Sequence, residues 1–167
     1  AAIRRAGMLR VDTLQQLFDA AETLAHARAG GGAAGSLMLV TNGGGAGVMA
    51  ADAAAAAGVA LSALRPGLRA RLDTVLPPNW SGANPVDIIG DAPAERYVAT
   101  LRTLLQAEGD EAVGTVLFMH APTAIVPASD IAEALLPLLR EHPGRVLAGW
   151  LGDAAVRAAR QAFEAAG

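Results

Sequence analysis

An apolar run at residues 37–40 stops at the glycine-rich segment 41–47, and this junction limits the possible folds more than any other part of the sequence. The run has no polar alternation, which is typical of a strand buried on both faces of a parallel sheet. Residues 48–57 form a helical segment that ends at Gly58, a glycine suited to the C-terminal cap of a helix. The junction therefore predicts a buried strand, a glycine turn and a helix.

The rest of the chain repeats this alternation. Further strands are predicted at 59–61, 86–89, 112–119 and 146–150, and helices at 66–75, 94–106, 128–140 and 153–166. Alternating strands and helices predict a parallel sheet with helices on both faces and right-handed crossovers. Residues 12–28 predict one more helix, with Asp12 or Thr13 as its cap, followed by a Gly/Ala linker. Because the chain starts at Ala1 without Met, we expect a segment of a longer protein.

Composition removes several classes of function. The 167 residues include no cysteine, which excludes thiol catalysis and Cys-ligated metal sites. All 13 basic residues are arginine, so neither a P-loop lysine nor a Schiff-base lysine is possible. A net charge of −3 argues against nucleic-acid binding. Since no apolar run approaches a membrane span and no signal peptide is present, we expect a cytoplasmic protein.

Three loops should meet at the carboxyl edge of the sheet, where open α/β folds bind ligands: 41–47, 90–92 and 120–127. The first has bare backbone amides at the start of a helix, an arrangement that suits an anion such as phosphate. Its spacing is not G-x-G-x-x-G, because Val48 stands in place of the third glycine. A tight turn without a ligand is the alternative, and the glycines alone leave both readings open.

A few other residues are notable by their position. Asp87 falls in an apolar strand, which favours a structural carboxylate that caps a helix or binds loop amides. His120 follows a strand and is either a general acid–base candidate or a polar loop residue. Met49 is predicted to lie in the core, and Trp80 is predicted to lie in a loop that contacts another domain. No Ser/His/Asp set and no metal cluster is visible.

The motifs together carry a resemblance that spans nearly the whole chain. Residues 40–52, VTNGGGAGVMAAD, resemble the ligase domain of NDP-forming acyl-CoA synthetases, the superfamily of succinyl-CoA synthetase and ADP-forming acetate–CoA ligase. Similar matches occur at 76–97, with LPP, NPVD, GDA and ERY, and at 4–19, which resembles the join between two domains of these enzymes. The resemblance implies a flavodoxin-like three-layer α/β/α sandwich with a parallel sheet of four or five strands. It divides the chain into an inter-domain helix and linker, 1–30, and the flavodoxin-like domain, 31–167.

The family resemblance also implies a function. Such enzymes convert an acid, CoA and a nucleoside triphosphate to acyl-CoA, nucleoside diphosphate and phosphate, through an acyl phosphate and a phosphohistidine. The turn Asn42, Gly43, Gly44, Gly45, Ala46 and Gly47 matches one of two helix N-termini that cradle the phosphohistidine. His120, Ala121, Pro122 and Thr123 match the region that receives the acid's carboxylate.

The chain departs from the family in one respect. The phosphorylated histidine lies in a Ser-His-Thr-Gly type segment, and none of the three histidines here has that context. CoA, ATP or ADP and Mg²⁺ belong to the intact enzyme, whose CoA-binding and ATP-grasp domains would be the partners. We therefore expect this segment alone to bind a phosphate or carboxylate anion, to hold no cofactor and to be inactive. Two alternatives remain: a synthetase-like regulatory region of a protein lysine acetyltransferase, and a non-catalytic interaction domain.

Overall fold

The structure is a computed structural model that describes Thr13, Gln16 and residues 36–166. Within 36–166 the elements follow the predicted alternation. In chain order they are β1 (Ser36–Thr41), α1 (Gly44–Ala57), β2 (Ala60–Leu61), α2 (Pro66–Asp73), β3 (Val86–Asp87), α3 (Ala94–Leu105), β4 (Thr115–His120), α4 (Ala128–Glu141), β5 (Val146–Trp150) and α5 (Arg157–Ala166), with 3₁₀ turns at Gly109–Glu111 and Ala154–Val156.

The five strands form one parallel sheet in the order β2-β1-β4-β5, and β3 pairs with β1 beside β2. β2 pairs with the start of β1, at Ser36 and Leu37, whereas β3 pairs with its end, at Val40 and Thr41. On the other side, Leu37–Thr41 of β1 pairs with β4 over five residues. The sheet and its helices are the predicted flavodoxin-like α/β/α architecture, with five strands.

Asn84 binds β1 between its pairing with β2 and its pairing with β3. Its Nδ2 donates to the carbonyls of Leu37 (2.9 Å) and Ser62 (3.0 Å), and its Oδ1 accepts from the amide of Leu39 (3.0 Å). A carboxamide carries the same donor and acceptor as a peptide group, so this side chain completes the hydrogen bonding of the strand.

The main core lies on one face of the sheet. Alternate residues of β1 and β4 point to that face, where they meet buried leucines of α2, α3 and α4. α1 packs on the opposite face, where Gly47 lies against Thr41. Gly58 ends α1 in the left-handed conformation (φ 72°), which confirms the predicted glycine cap.

Several predictions were wrong in detail. α1 begins at Gly44 rather than Val48, because glycines of the predicted turn already form its first turn. β4 runs through His120, which was expected in the following loop. Trp80 is buried in this domain and donates from Nε1 to Asp73 (2.8 Å), and Met49 is 74% exposed rather than part of the core.

Of the predicted N-terminal helix, the structure describes Thr13 and Gln16. The amide of Gln16 donates to Thr13 Oγ1 (3.1 Å), and the amide of Thr13 donates to Gln16 Oε1 (3.3 Å). This reciprocal pair is a capping box and confirms Thr13 as a helix cap. The rest of 12–28 and the proposed domain boundary at 30 lie outside the described residues.

Candidate functional site

The candidate site lies where the chain reverses its direction across the sheet. From β1 the chain proceeds to β2 and β3 on one side, and then crosses to β4 and β5 on the other. The loops that leave β1 and β4 therefore flank the point where the strand order reverses, and open α/β sheets bind ligands at the carboxyl edge at such a point.

The three predicted loops do meet there. Asn42, after β1, is hydrogen-bonded to Ala121, after β4. Gly90, after β3, approaches the backbone oxygen of Asn42, which would lie 3.5 Å from a Cβ at that glycine. The prediction that the loops share one edge of the sheet is confirmed.

Two amides at the start of α1 are available to a ligand. The amide of Gly43 donates to Thr41 Oγ1 (3.1 Å), and those of Ala46 and Gly47 donate to the carbonyl of Gly43 (3.0 and 3.2 Å). The amides of Gly44 and Gly45 have no hydrogen-bond acceptor among the described residues. Because they begin a 14-residue helix, they are unpaired N–H groups at the positive end of its dipole.

The glycines of the turn differ in what surrounds them. A Cβ at Gly45 would meet no atom within 4 Å, whereas one at Gly47 would lie 3.1 Å from Thr41 Cγ2 and 3.2 Å from Pro85 Cβ. At Gly44 the neighbour is Asp87 Oδ2, at 3.1 Å. Gly47 therefore serves the packing of helix on sheet, while Gly45 leaves the helix end open.

Asp87 organises the second loop. Its Oδ1 accepts the amide of Ile89 (2.9 Å), whose φ of 70° is unusual for a branched residue. Arg96 holds the same loop through Ile88 O (3.0 Å) and Asp91 (2.6 Å). The prediction that Asp87 binds loop amides is confirmed, and its carboxylate lies beside the first glycine of α1.

His120 is buried below the site rather than exposed in it. It is 1% exposed, and its Nδ1 is hydrogen-bonded to the hydroxyl of Tyr97 (3.1 Å). Its Nε2 has no partner among the described residues. Burial lowers the pKa of His120, so the ring is neutral at pH 7. The loop-residue interpretation of His120 is wrong, because the side chain lies on the core face of β4 and contacts Trp150 (ring centroids 5.4 Å).

The third loop continues from β4 to α4. Ala121 and Thr123 are half-buried and Pro122 is exposed. Thr123 Oγ1 accepts the amide of Ile125 at 3.4 Å. This loop meets the start of α1 at Ala121, whose Cβ lies 3.4 Å from the Cβ position of Gly43.

Apolar side chains are exposed in the turn of α1 that follows the two free amides. Val48 and Met49, in the second turn of α1, are 61% and 74% exposed. Ile125, in the loop after β4, is 60% exposed. Exposed apolar side chains beside a polar site are typical of a surface that another protein segment covers. Within the described part of the chain, no group of three or more His, Asp or Glu side chains could hold a metal, and no helix has the length and apolar character to cross a membrane.

Comparison with known families decides what the domain is. The family model described as "Ligase-CoA domain" matches residues 37–159, from the second residue of β1 to beyond the end of β5. The chain belongs to the Ligase-CoA domain family. The resemblance read from residues 40–52 and 76–97 is thereby confirmed.

Relatives of this Ligase-CoA domain include named ligases. It is 31% identical over 152 residues to the 4-hydroxybutyrate–CoA ligase [ADP-forming] of Nitrosopumilus maritimus, covering 91% of the chain and 21% of the relative. It is 39% identical over 137 residues to the acetate–CoA ligase [ADP-forming] I of Archaeoglobus fulgidus, covering 81% and 19%. The chain thus spans about a fifth of the length of these relatives.

A solved structure shares the fold. The dinucleotide-forming acetyl-coenzyme A synthetase 1 of Ca. Korarchaeum cryptofilum, known in an apo form and in complex with phosphate and ADP, superposes with a TM-score of 0.84. The two are 28% identical, and the match covers 98% of this chain but 35% of the apo chain. This Ligase-CoA domain is therefore similar to about one third of that protein.

Some contacts of the site carried no signal in the sequence. The role of Asn42 depends on Ala121, 79 positions away, and the Tyr97–His120 pair joins a helix to a strand. Only tertiary structure brings such pairs together. The positive φ of Ile89 also had no signal, because a β-branched residue rarely adopts it.

Proposed function

We propose that the chain is the ligase module of an NDP-forming acyl-CoA synthetase, an enzyme that converts an acid, CoA and a nucleoside triphosphate to acyl-CoA, nucleoside diphosphate and phosphate. Its part is to present the N-terminus of α1 to a phosphohistidine carried by another domain. The loop that follows β4 forms part of the acid site. The CoA-binding and ATP-grasp domains of the same enzyme are its partners.

The single observation that carries this proposal is the pair of free amides at Gly44 and Gly45. They lie at the carboxyl edge of the sheet and begin a helix of 14 residues. Backbone N–H groups and the helix dipole both favour an anion there. Because Gly45 has no side chain and no neighbour within 4 Å of its Cβ position, a phosphoryl group can reach the backbone.

The surroundings favour a phosphoryl group delivered by a protein over a free ion. Val48 and Met49 project from the turn of α1 that follows the free amides, and both are exposed. A protein segment that carried a phosphohistidine would cover them and bury apolar area at about 25 cal/mol per Å². An ion alone would leave them in water.

The relatives support a ligase module over a regulatory region of a protein lysine acetyltransferase and over a non-catalytic interaction domain. Both curated relatives are named as ADP-forming CoA ligases, and the solved structure of similar fold is named as an acetyl-coenzyme A synthetase. The chain covers a fifth to a third of each, which fits a module that needs further domains for turnover.

The anion site can be tested on the chain itself. In a ¹⁵N-edited titration with inorganic phosphate, the amide signals of Gly44 and Gly45 should move with one saturable isotherm. Chloride at the same ionic strength should leave them in place. Unmoved signals at millimolar phosphate would favour a tight turn without a ligand.

The protein partner requires the other domains of the enzyme. A fragment that contains the CoA-binding domain and the segment with the phosphohistidine should bind this chain when added in trans. Binding should be tighter when that histidine is phosphorylated, measured by isothermal titration calorimetry. Equal affinities with and without the phosphoryl group would argue for a merely structural interface.

A further inference from the structure

Asn42 joins two loops by its side chain alone. It is 3% exposed, and both ends of its carboxamide bind the backbone of Ala121. Nδ2 donates to the carbonyl of Ala121, and Oδ1 accepts the amide of Ala121, each at 2.8 Å. We propose that Asn42 is a positioning residue that couples anion binding at α1 to the conformation of the loop after β4.

The place of this bridge explains why a side chain is needed. β1 and β4 pair in register up to Thr41 and Met119, and their backbone pairing ends there. A carboxamide has the donor and acceptor of a peptide group, so Asn42 extends the pairing where the backbone no longer can. Its side chain links the loop after β1 to the loop after β4.

The bridge continues to the free amides through short contacts. Gly43 follows Asn42 directly, and a Cβ there would lie 3.4 Å from that of Ala121. The carbonyl of Gly43 accepts the amides of Ala46 and Gly47, which fixes the first turn of α1. The direction of the two free amides is therefore set by a chain of bonds that begins at Ala121.

This inference rests on the proposed function, because it links the anion site at α1 to the loop after β4, which is proposed to form part of the acid site. That loop is called the acid loop below. An anion held by Gly44 and Gly45 stabilises the first turn of α1 and, through Gly43 and Asn42, the position of Ala121. Linkage requires that the converse also holds: an ordered acid loop strengthens binding of the anion by the same factor.

The test uses the whole chain and inorganic phosphate as the probe. Hydrogen exchange of the Ala121 amide should slow by roughly fivefold at saturating phosphate, a modest coupling for two linked sites. Asn42→Ala should abolish this response and weaken phosphate binding by roughly three- to tenfold, the range expected for lost neutral hydrogen bonds. Asn42→Leu keeps the approximate shape, adds no charge and loses both bonds to Ala121, so it should also uncouple the loop if the alanine variant does not fold.

Asn84 provides a matched control. Its carboxamide makes the same kind of strand-like bonds to Leu37 and Leu39, away from the carboxyl edge. Asn84→Ala should lower stability but leave the phosphate response of Ala121 intact, which separates positioning from general destabilisation.

Two results have different meanings. If phosphate leaves the Gly44 and Gly45 amides unmoved in the unmodified chain, the proposed anion site fails. If it moves them while Ala121 exchanges at the same rate with and without phosphate, or if a folded Asn42→Ala variant retains the response, the coupling proposal is overturned and the anion site stands.

Discussion

Gly45→Val should strongly weaken anion binding without unfolding the domain. Side chains of a helix tilt toward its N-terminus, so a valine at this position would project over the end of α1, where the ligand approaches. The Cβ position has no atom within 4 Å, and the residue is exposed, so the core does not change. The variant therefore tests access to the amides rather than the integrity of the fold.

The two expected magnitudes differ clearly. Valine costs about 0.6 kcal/mol in a helix and glycine about 1 kcal/mol, so the free energy of unfolding should change by less than about 0.5 kcal/mol. Hydrogen bonds to a charged ligand contribute about 1.5–3 kcal/mol each. Blocking one amide should thus weaken phosphate binding by about tenfold or more.

The assay combines two measurements. Urea unfolding gives the stability, and the ¹⁵N titration with phosphate gives the dissociation constant. Ala53→Val is the control, because it places the same side chain on an exposed position of the same helix, away from its N-terminus. In the intact enzyme, Gly45→Val should also suppress formation of the phosphohistidine, followed by ³¹P NMR. Unchanged phosphate affinity and unchanged phosphoenzyme in a folded variant would refute the role of these amides.

Three further perturbations test the surroundings of the site. Asp87→Asn removes a carboxylate beside Gly44 but keeps the side-chain oxygen that accepts the amide of Ile89. Phosphate should therefore bind about two- to fivefold tighter at low salt. Asp110→Asn, in the 3₁₀ turn Gly109–Glu111, should leave the phosphate affinity unchanged. Met49→Gln should weaken binding of the phosphohistidine-bearing fragment, measured by calorimetry, and leave the phosphate affinity unchanged. The same fragment affinity in the variant and the unmodified chain would contradict the proposal that the fragment covers Met49. Burial lowers the pKa of His120 in the folded chain below 6.5. The contribution of the neutral ring to the stability of the fold is therefore fully present above pH 6.5 and is lost as the pH falls through the lowered pKa. In urea unfolding, His120→Leu should therefore show a shallower loss of stability between pH 7 and 5, and an identical slope would contradict this assignment.

The parallel sheet could be predicted because its signals are local. The apolar runs that became β1 and β4 have no polar alternation, and Gly58 ends a helix in the conformation that glycine favours. The boundaries at the site were harder to predict. Gly44 and Gly45 have low helix propensity, yet both are helical, because Gly47 packs against Thr41 and holds the first turn of α1 on the sheet.

The candidate site could be located but not resolved from the sequence. The three loops were predicted to share an edge because parallel strands have a common carboxyl end. Which amides are free depends on Thr41, whose hydroxyl occupies the amide of Gly43, and the burial of His120 depends on the extra residue of β4. These details follow from tertiary contacts that no local pattern encodes.

A structure determined from crystals of this chain soaked in phosphate would test most directly the claim that the Gly44 and Gly45 amides bind an anion. The account predicts a phosphate oxygen within about 3.2 Å of the backbone nitrogens of both Gly44 and Gly45. A phosphate bound elsewhere on the chain, with these two nitrogens facing solvent at saturating concentration, would contradict it.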